Sequence, residues 1–468
     1  MRTRGARNDV LEPAHTALAE GRYEAAFAML EGAARRHGAR AAGARYWLHL
    51  AACYALYGSD GLEGGVPALR AAIAAEPNLG DDPLYQALYW EFEAYRGGAA
   101  SDVKRGLRTG GPAETPPVAA YHAAAALLTV GAAKSALRRL EALDPATLPA
   151  YLGWRHASLI GQAQEEMGEW AMAAEAYAAA AASAPTGERE PERLAYASCL
   201  LELGRAGEVL AVLDEVDESG LDDADRAMMR YVEGRAHLDA GNPNRALGLF
   251  VEARALEDGA EPGFSLAYAT GQALVALQRY EAAVVALREA IEAAPADHRA
   301  YAQHEAAVAL LESERYDEAE ELLGSVVSDP QYPHRGEALA DLADVRLRSG
   351  DFDVAQAHAE QALELGATAP ACLVLGGLAF EYFHLDEAVR WYEQALAASQ
   401  AGDPTWVAAH QMLADVHAQR GEGAAERVLR HASAALEHTD AGSEWRLPLE
   451  RHVGWARGLL GGHDRVLN

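Results

Sequence analysis

The chain has 468 residues, 50% of them hydrophobic and only 7% aromatic, with 70 acidic against 40 basic residues for a formal net charge of −30. That length is large for one compact core and points to several domains or an array of repeats. The acidic excess argues against a reader of nucleic-acid backbones or a binder of anionic membranes.

Much of the hydrophobic content is alanine, which favours helix and lets helix backbones approach closely. No stretch alternates as a strand would. Lys104 and Lys134 are the only lysines, and the Ala/Arg/Gly bias is of the kind a GC-rich genome produces. Cys53, Cys199 and Cys372 lie far apart, outside any CxxC or Cys/His ligand spacing, and read as buried free thiols. No apolar run is long enough for a membrane span, and no apolar region follows the basic N-terminus as in a secretory signal. The expected compartment is a reduced cytoplasm, with no membrane insertion.

Residues 1–11 read as a tail. The first helical pair runs from about Glu12 to Arg36, with Gly21 at its turn and Ala26, Leu30 and Ala33 on one helix face. A second pair spans Tyr46 to Pro77. Its linker, GSDGLEGG from Gly58, lacks a preceding strand and the GK[ST] ending of a phosphate loop, so it reads as a turn. The third unit, Asp82 to Thr109, joins an aromatic-rich helix to a short weak one. These three units make an N-terminal region, 12–109, closed by a Pro/Gly break at 110–117.

From 118 to 440 the pattern is regular. Second helices carry a small residue at Ala133, Ala173, Val209, Ala246, Ala283, Ala319, Ala355, Ala388 and Ala425, at intervals of 33 to 40. A larger residue falls four positions later in all but one, as at Leu137, Tyr177, Phe250, Leu287 and Tyr392. First helices carry their own small residue at Gly161, Ala197, Gly234, Gly271, Ala307, Ala343 and Gly376. A fixed period in this range marks stacked helical hairpins, none able to bury its face alone. About twelve such units are expected. The stretch 441–468 holds one amphipathic helix with no second, which suits a terminal cap.

The unit Phe264–Pro295 carries the pattern in full: Gly271, a tight turn at Gln278–Arg279, then Tyr280, Ala283, Leu287, Ala290 and Pro295. In these residues, and in Gly161, Gly168, Trp170, Ala173, Tyr177, Ala180 and Pro185, the chain resembles a tetratricopeptide repeat (TPR) protein. The family repeat is 34 residues, and the extra residues here are assigned to loops between repeats such as 255–262. The resemblance implies an all-α fold: a right-handed α-solenoid of antiparallel helix pairs with a C-terminal capping helix. Its concave face would be lined by first-helix side chains, and in this family that groove commonly takes a partner peptide or helix.

By that register the candidate binding residues are Tyr231, Arg235, Tyr268, Gln272, Tyr301, His304, Asp344 and Arg348. Tyr231, Tyr268 and Tyr301 recur near the repeat spacing. They read either as a recognition ladder of apolar rings with hydroxyl handles or as ordinary packing residues. The positions that carry a Lys/Arg/Asn carboxylate clamp in some relatives are mostly Tyr, Ala, Leu or acidic here, so that ligand is not carried over.

Sequence patterns that imitate catalytic or metal sites fail on inspection. Glu381 and His384 form one ExxH, but a di-iron bundle needs two. His304–Glu305 begins an HExxH whose second histidine is Val308. His410/His417 and His431/His438 are seven apart, without the i, i+4 spacing or third ligand a metal wants. The expectation is a non-enzymatic scaffold for a protein or peptide partner, without cofactor, metal or nucleic acid. The alternatives are a sensor of a small peptide or metabolite and, behind it, an enzyme on an α-solenoid.

Overall fold

The computed structural model describes residues 10–37, 41–107, 115–257, 263–439, 443 and 445–463. Among them are 25 α-helices and no strand. Twenty-four of the helices form twelve antiparallel pairs, and Arg446–His463 stands alone at the end. The fold is an α-solenoid of helix pairs with a capping helix. Most of the 110–117 break lies outside the described residues, as do residues 1–9 of the N-terminal tail and much of the 255–262 loop.

Several pairs close on a small-to-large contact. A Cβ at Gly271 would lie 2.4 Å from Cγ of Leu287, so only glycine lets the Phe264–Ala276 and Tyr280–Ala293 helices meet here. The same offset of sixteen residues joins Gly161 to Tyr177, Gly234 to Phe250 and Gly376 to Tyr392. The turn between the helices needs one residue in the left-handed region. Gly241 fills it at φ 75°, and in the following pair Gln278 does so at φ 57° without the glycine's freedom.

The chain divides into two compact units, residues 1–259 and 260–468. The first holds seven helix pairs. Its second pair departs from expectation. Only Gly58–Gly61 of the linker is a turn, a short 3₁₀ segment, and Gly64 and Gly65 already belong to the Leu62–Ala75 helix. Gly65 is needed there because Phe92 packs against it. In the degenerate third pair the Ala100–Gly106 helix is short, and Pro83–Tyr95 packs mainly on Pro117–Thr129. Between those two helices Glu91 and His122 are fully buried as a pair, Oε2 to Nδ1 2.7 Å, and Tyr95 donates to Glu91 at 3.2 Å.

The first unit is also not a pure nearest-neighbour stack. The Leu11–Ala19 helix lies against Ala150–Glu165, four pairs along, with the His15 and Tyr151 rings 5.1 Å apart. At the edge of this contact Arg155 Nη2 donates to the Tyr23 hydroxyl at 3.0 Å and pairs with Glu188 at 3.3 Å, while Tyr23 donates to the same carboxylate. Burial and the Glu188 bond push the Tyr23 phenol up to about 12.

The second unit holds five pairs and the cap. Leu449, Val453 and Ala456 of the capping helix are buried against the Ala425–Glu437 helix, covering the apolar face that a further repeat would otherwise cover.

Candidate functional site

The candidate binding residues fall in both units. In the first, Tyr231 and Arg235 sit one turn apart on Asp223–Asp239; Tyr231 lies against the Phe250 ring at 6.2 Å, and Arg235 Nη1 reaches its hydroxyl at 3.4 Å. Both are half-buried.

In the second unit the first helices of three successive pairs, Phe264–Ala276, Arg299–Glu312 and Arg335–Arg348, bring the other six residues together in two groups. Tyr268 and Tyr301 are joined by a chain of rings. Tyr268 stacks on Phe264 at 5.4 Å, Phe264 meets His298 at 5.4 Å, His298 meets Tyr301 at 6.4 Å, and Tyr301 packs edge-on to Tyr332 at 5.1 Å. The tyrosines therefore pack and remain half-exposed at once.

A polar network runs beside the rings. His304 is held at both nitrogens: Nε2 is 2.8 Å from Asp341 Oδ2, and Nδ1 is 2.9 Å from the Tyr332 hydroxyl. A neutral ring protonated on Nε2 satisfies both, donating to the carboxylate and accepting from the phenol. Gln272 donates to Glu305 at 3.5 Å. Burial raises the Glu305 carboxyl above its ordinary range, against hydrogen bonds from Gln272 and Tyr268 that lower it. Asp344 and Arg348 pair with each other at 3.0 Å, and Arg348 also reaches Glu312 at 3.2 Å. Burial raises Asp344 too, and Arg348 opposes it.

Phe264, His298, Glu305, Tyr332 and Asp341 belong to this site and escaped the sequence reading. Asp341 lies 37 residues after His304, one repeat along, so the spacing held a signal. Tyr332 stands outside any helix and outside the periodic pattern, and nothing in the sequence marks it.

Models of the tetratricopeptide repeat match residues 231–298, 268–333 and 310–373, a continuous run that contains every one of these residues. Over residues 231–373 the chain is a tetratricopeptide-repeat protein. As such it is, in general terms, a protein-interaction scaffold. No curated protein matches the sequence. Among solved structures, one of an APC/C hetero-tetramer, Cut9–Hcn1, aligns at 14% identity over 96% of each chain with a TM-score of 0.43. Yeast Tom70 aligns at 15% identity over 97% of this chain and 95% of its own, TM-score 0.40. A tetratricopeptide repeat protein from Parabacteroides merdae aligns at 17% identity over 53% and 93%, TM-score 0.39. Similarities this low attach no function to the chain.

The second histidine-rich region of this repeat protein lies in its last pair, Pro404–Gln419 with Ala425–Glu437. The two i, i+7 pairs interlock across the helices: His410 Nδ1 faces His431 Nδ1 at 2.9 Å, and His417 stacks on His431 at 5.7 Å. One of the facing nitrogens must donate and the other accept, which two neutral rings can do and two cations cannot. Burial, then neighbouring positive groups, drops His431 and His417 to about 4. Among the described residues no three histidine, cysteine or acidic side chains gather as a metal-binding group, and no helix is long and apolar enough to cross a membrane.

Proposed function

We propose that the protein is a non-enzymatic scaffold that holds a partner protein segment along the first-helix face of its second unit, the side that is concave in this family. Tyr268 and Tyr301 with Phe264 and His298 supply the apolar contact, while Gln272, His304, Asp344 and Arg348 border it. The observation that supports this is the run of half-exposed rings passing from one repeat to the next beside a polar network. Rings of this kind offer large contact area at low entropic cost, with hydroxyls that can be hydrogen-bonded. Tyr231 and Arg235 form a separate, smaller surface on the first unit.

The test is a quantitative pull-down comparing the wild type with a Tyr268→Ala/Tyr301→Ala variant of matched helical content. Loss of a specific partner by about tenfold or more, as truncating hot-spot aromatics produces, supports the reading. Equal recovery by both proteins overturns it.

A further inference from the structure

A cavity of about 520 Å³ lies in the first unit, away from the ring-lined face. Its walls are successive second helices, Trp170–Ser183 and Ala206–Leu213, and its floor is the first helix Arg189–Glu202 between them. It therefore opens on the second-helix side of the repeats. The volume is in the range of small-molecule sites. Its surface is divided in character: methyl groups of Ala178, Ala181, Ala182 and Ala211 with Val212 make an apolar wall, and Arg189, Arg193 and Tyr196 bring polar heads to it.

The charges in the cavity are not equally committed. Glu208 is gripped by Arg205 through two bonds of 2.6 Å. Arg193 is shared between Glu190 at 3.1 Å and Glu215 at 3.6 Å, and donates to the Glu215 carbonyl at 2.7 Å. Arg189 makes no ion pair with any described carboxylate. Its Nη2 reaches the Ala184 carbonyl only at 3.5 Å, and its Nε is buried with no acceptor. A buried donor left unmade costs free energy that a bound acceptor returns. A guanidinium presents its donors in a fork that matches a carboxylate.

We infer that this cavity binds a small carboxylate with an apolar body, its anionic head on Arg189 and Tyr196 and its chain on the alanine wall. One uncommitted cation matches one negative charge. A dianionic phosphate would face Glu208 and Glu215 with no second free cation to offset it.

The probe is sodium octanoate, titrated calorimetrically into the full chain, with octanamide as the uncharged isostere. The expected result is saturable binding at one site. Octanamide and the Arg189→Gln variant should each bind about tenfold more weakly, the ~1.4 kcal/mol of one charge-assisted contact. Ala211→Phe, at an exposed position on the cavity wall, should abolish binding while leaving helical content unchanged. Absence of saturable binding up to roughly 10 mM overturns the proposal. So does octanamide, Arg189→Gln or Ala211→Phe binding within about twofold of the octanoate–wild-type value. If Arg189→Gln fails to fold, the octanamide and Ala211→Phe comparisons decide the matter.

Discussion

At the scale of single residues, what matters most is the absence of a side chain where two helices touch. Gly271 gives the Leu287 side chain the space it occupies, and Leu287 is fully buried in return. Gly271→Leu would force side-chain atoms into that contact, and the overpacking should destabilise the protein by about 1–3 kcal/mol. Chemical denaturation followed by circular dichroism measures this directly, and an unchanged midpoint would contradict the assigned register. The small-residue positions were readable from sequence because a clash is local to one pair of helices and repeats with the period. Which residues would face a partner was less readable. Gln272 was named from the register, but its bond to Glu305 depends on how the next repeat is seated.

Among the elements, the last regular pair is the one whose stability depends most visibly on protons. His410, His417, His431 and His438 meet between its helices with Trp406 packed on His410 at 4.1 Å; Arg420, Arg427 and Arg430 add positive charge, and Asp415 on the same pair is paired with His452 of the capping helix at 2.6 Å. His417 and His431 are lowered to about 4 in the folded state, whereas an unfolded histidine titrates near 6.5. The unfolded chain therefore takes up protons first as pH falls. Their contribution is full above about pH 6.5 and is lost progressively toward pH 4, on the order of 1–3 kcal/mol. Hydrogen exchange over residues 404–437, corrected for the intrinsic rate, should show protection falling between pH 7 and pH 5. His431→Gln, which removes one of the titrating rings, should flatten that dependence; an equally steep loss in the variant would refute the assignment. The sequence displayed the two i, i+7 pairs but not their interlocking, since that depends on how two helices are rotated about their axes.

For the molecule as a whole, the division into units at residue 259 falls inside the array of regular repeats. The first unit is reinforced by a contact that repeat logic does not demand. The Arg155 side chain is only 11% exposed and ties Tyr23 to Glu188 across five helix pairs. Arg155→Met takes the guanidinium away from the Trp154 ring, over which its carbon lies at 4.1 Å, and leaves Glu188 and the Tyr23 hydroxyl without their cation. Loss of a partly buried ion-pair partner should cost about 1–3 kcal/mol. Amide exchange in residues 11–37 should accelerate in the variant while that of the Phe264–Ala276 helix stays as it was. Unchanged exchange in the first helices would mean that the Leu11–Ala19 packing alone holds them.

The sequence by itself determined the helical hairpin, its recurrence, the cap and the family, because each is set by contacts within a repeat or between neighbours. Those contacts leave a periodic record of small, large and turn residues that can be read without coordinates. The tertiary structure decided the rest. It placed Tyr332 and Asp341 on His304, set Arg189 free in a cavity and folded Tyr23 onto Arg155 and Glu188. Each of these depends on how the repeats are seated on one another, which the periodic record does not settle: the 37-residue step from His304 to Asp341 hinted at one such contact without placing it.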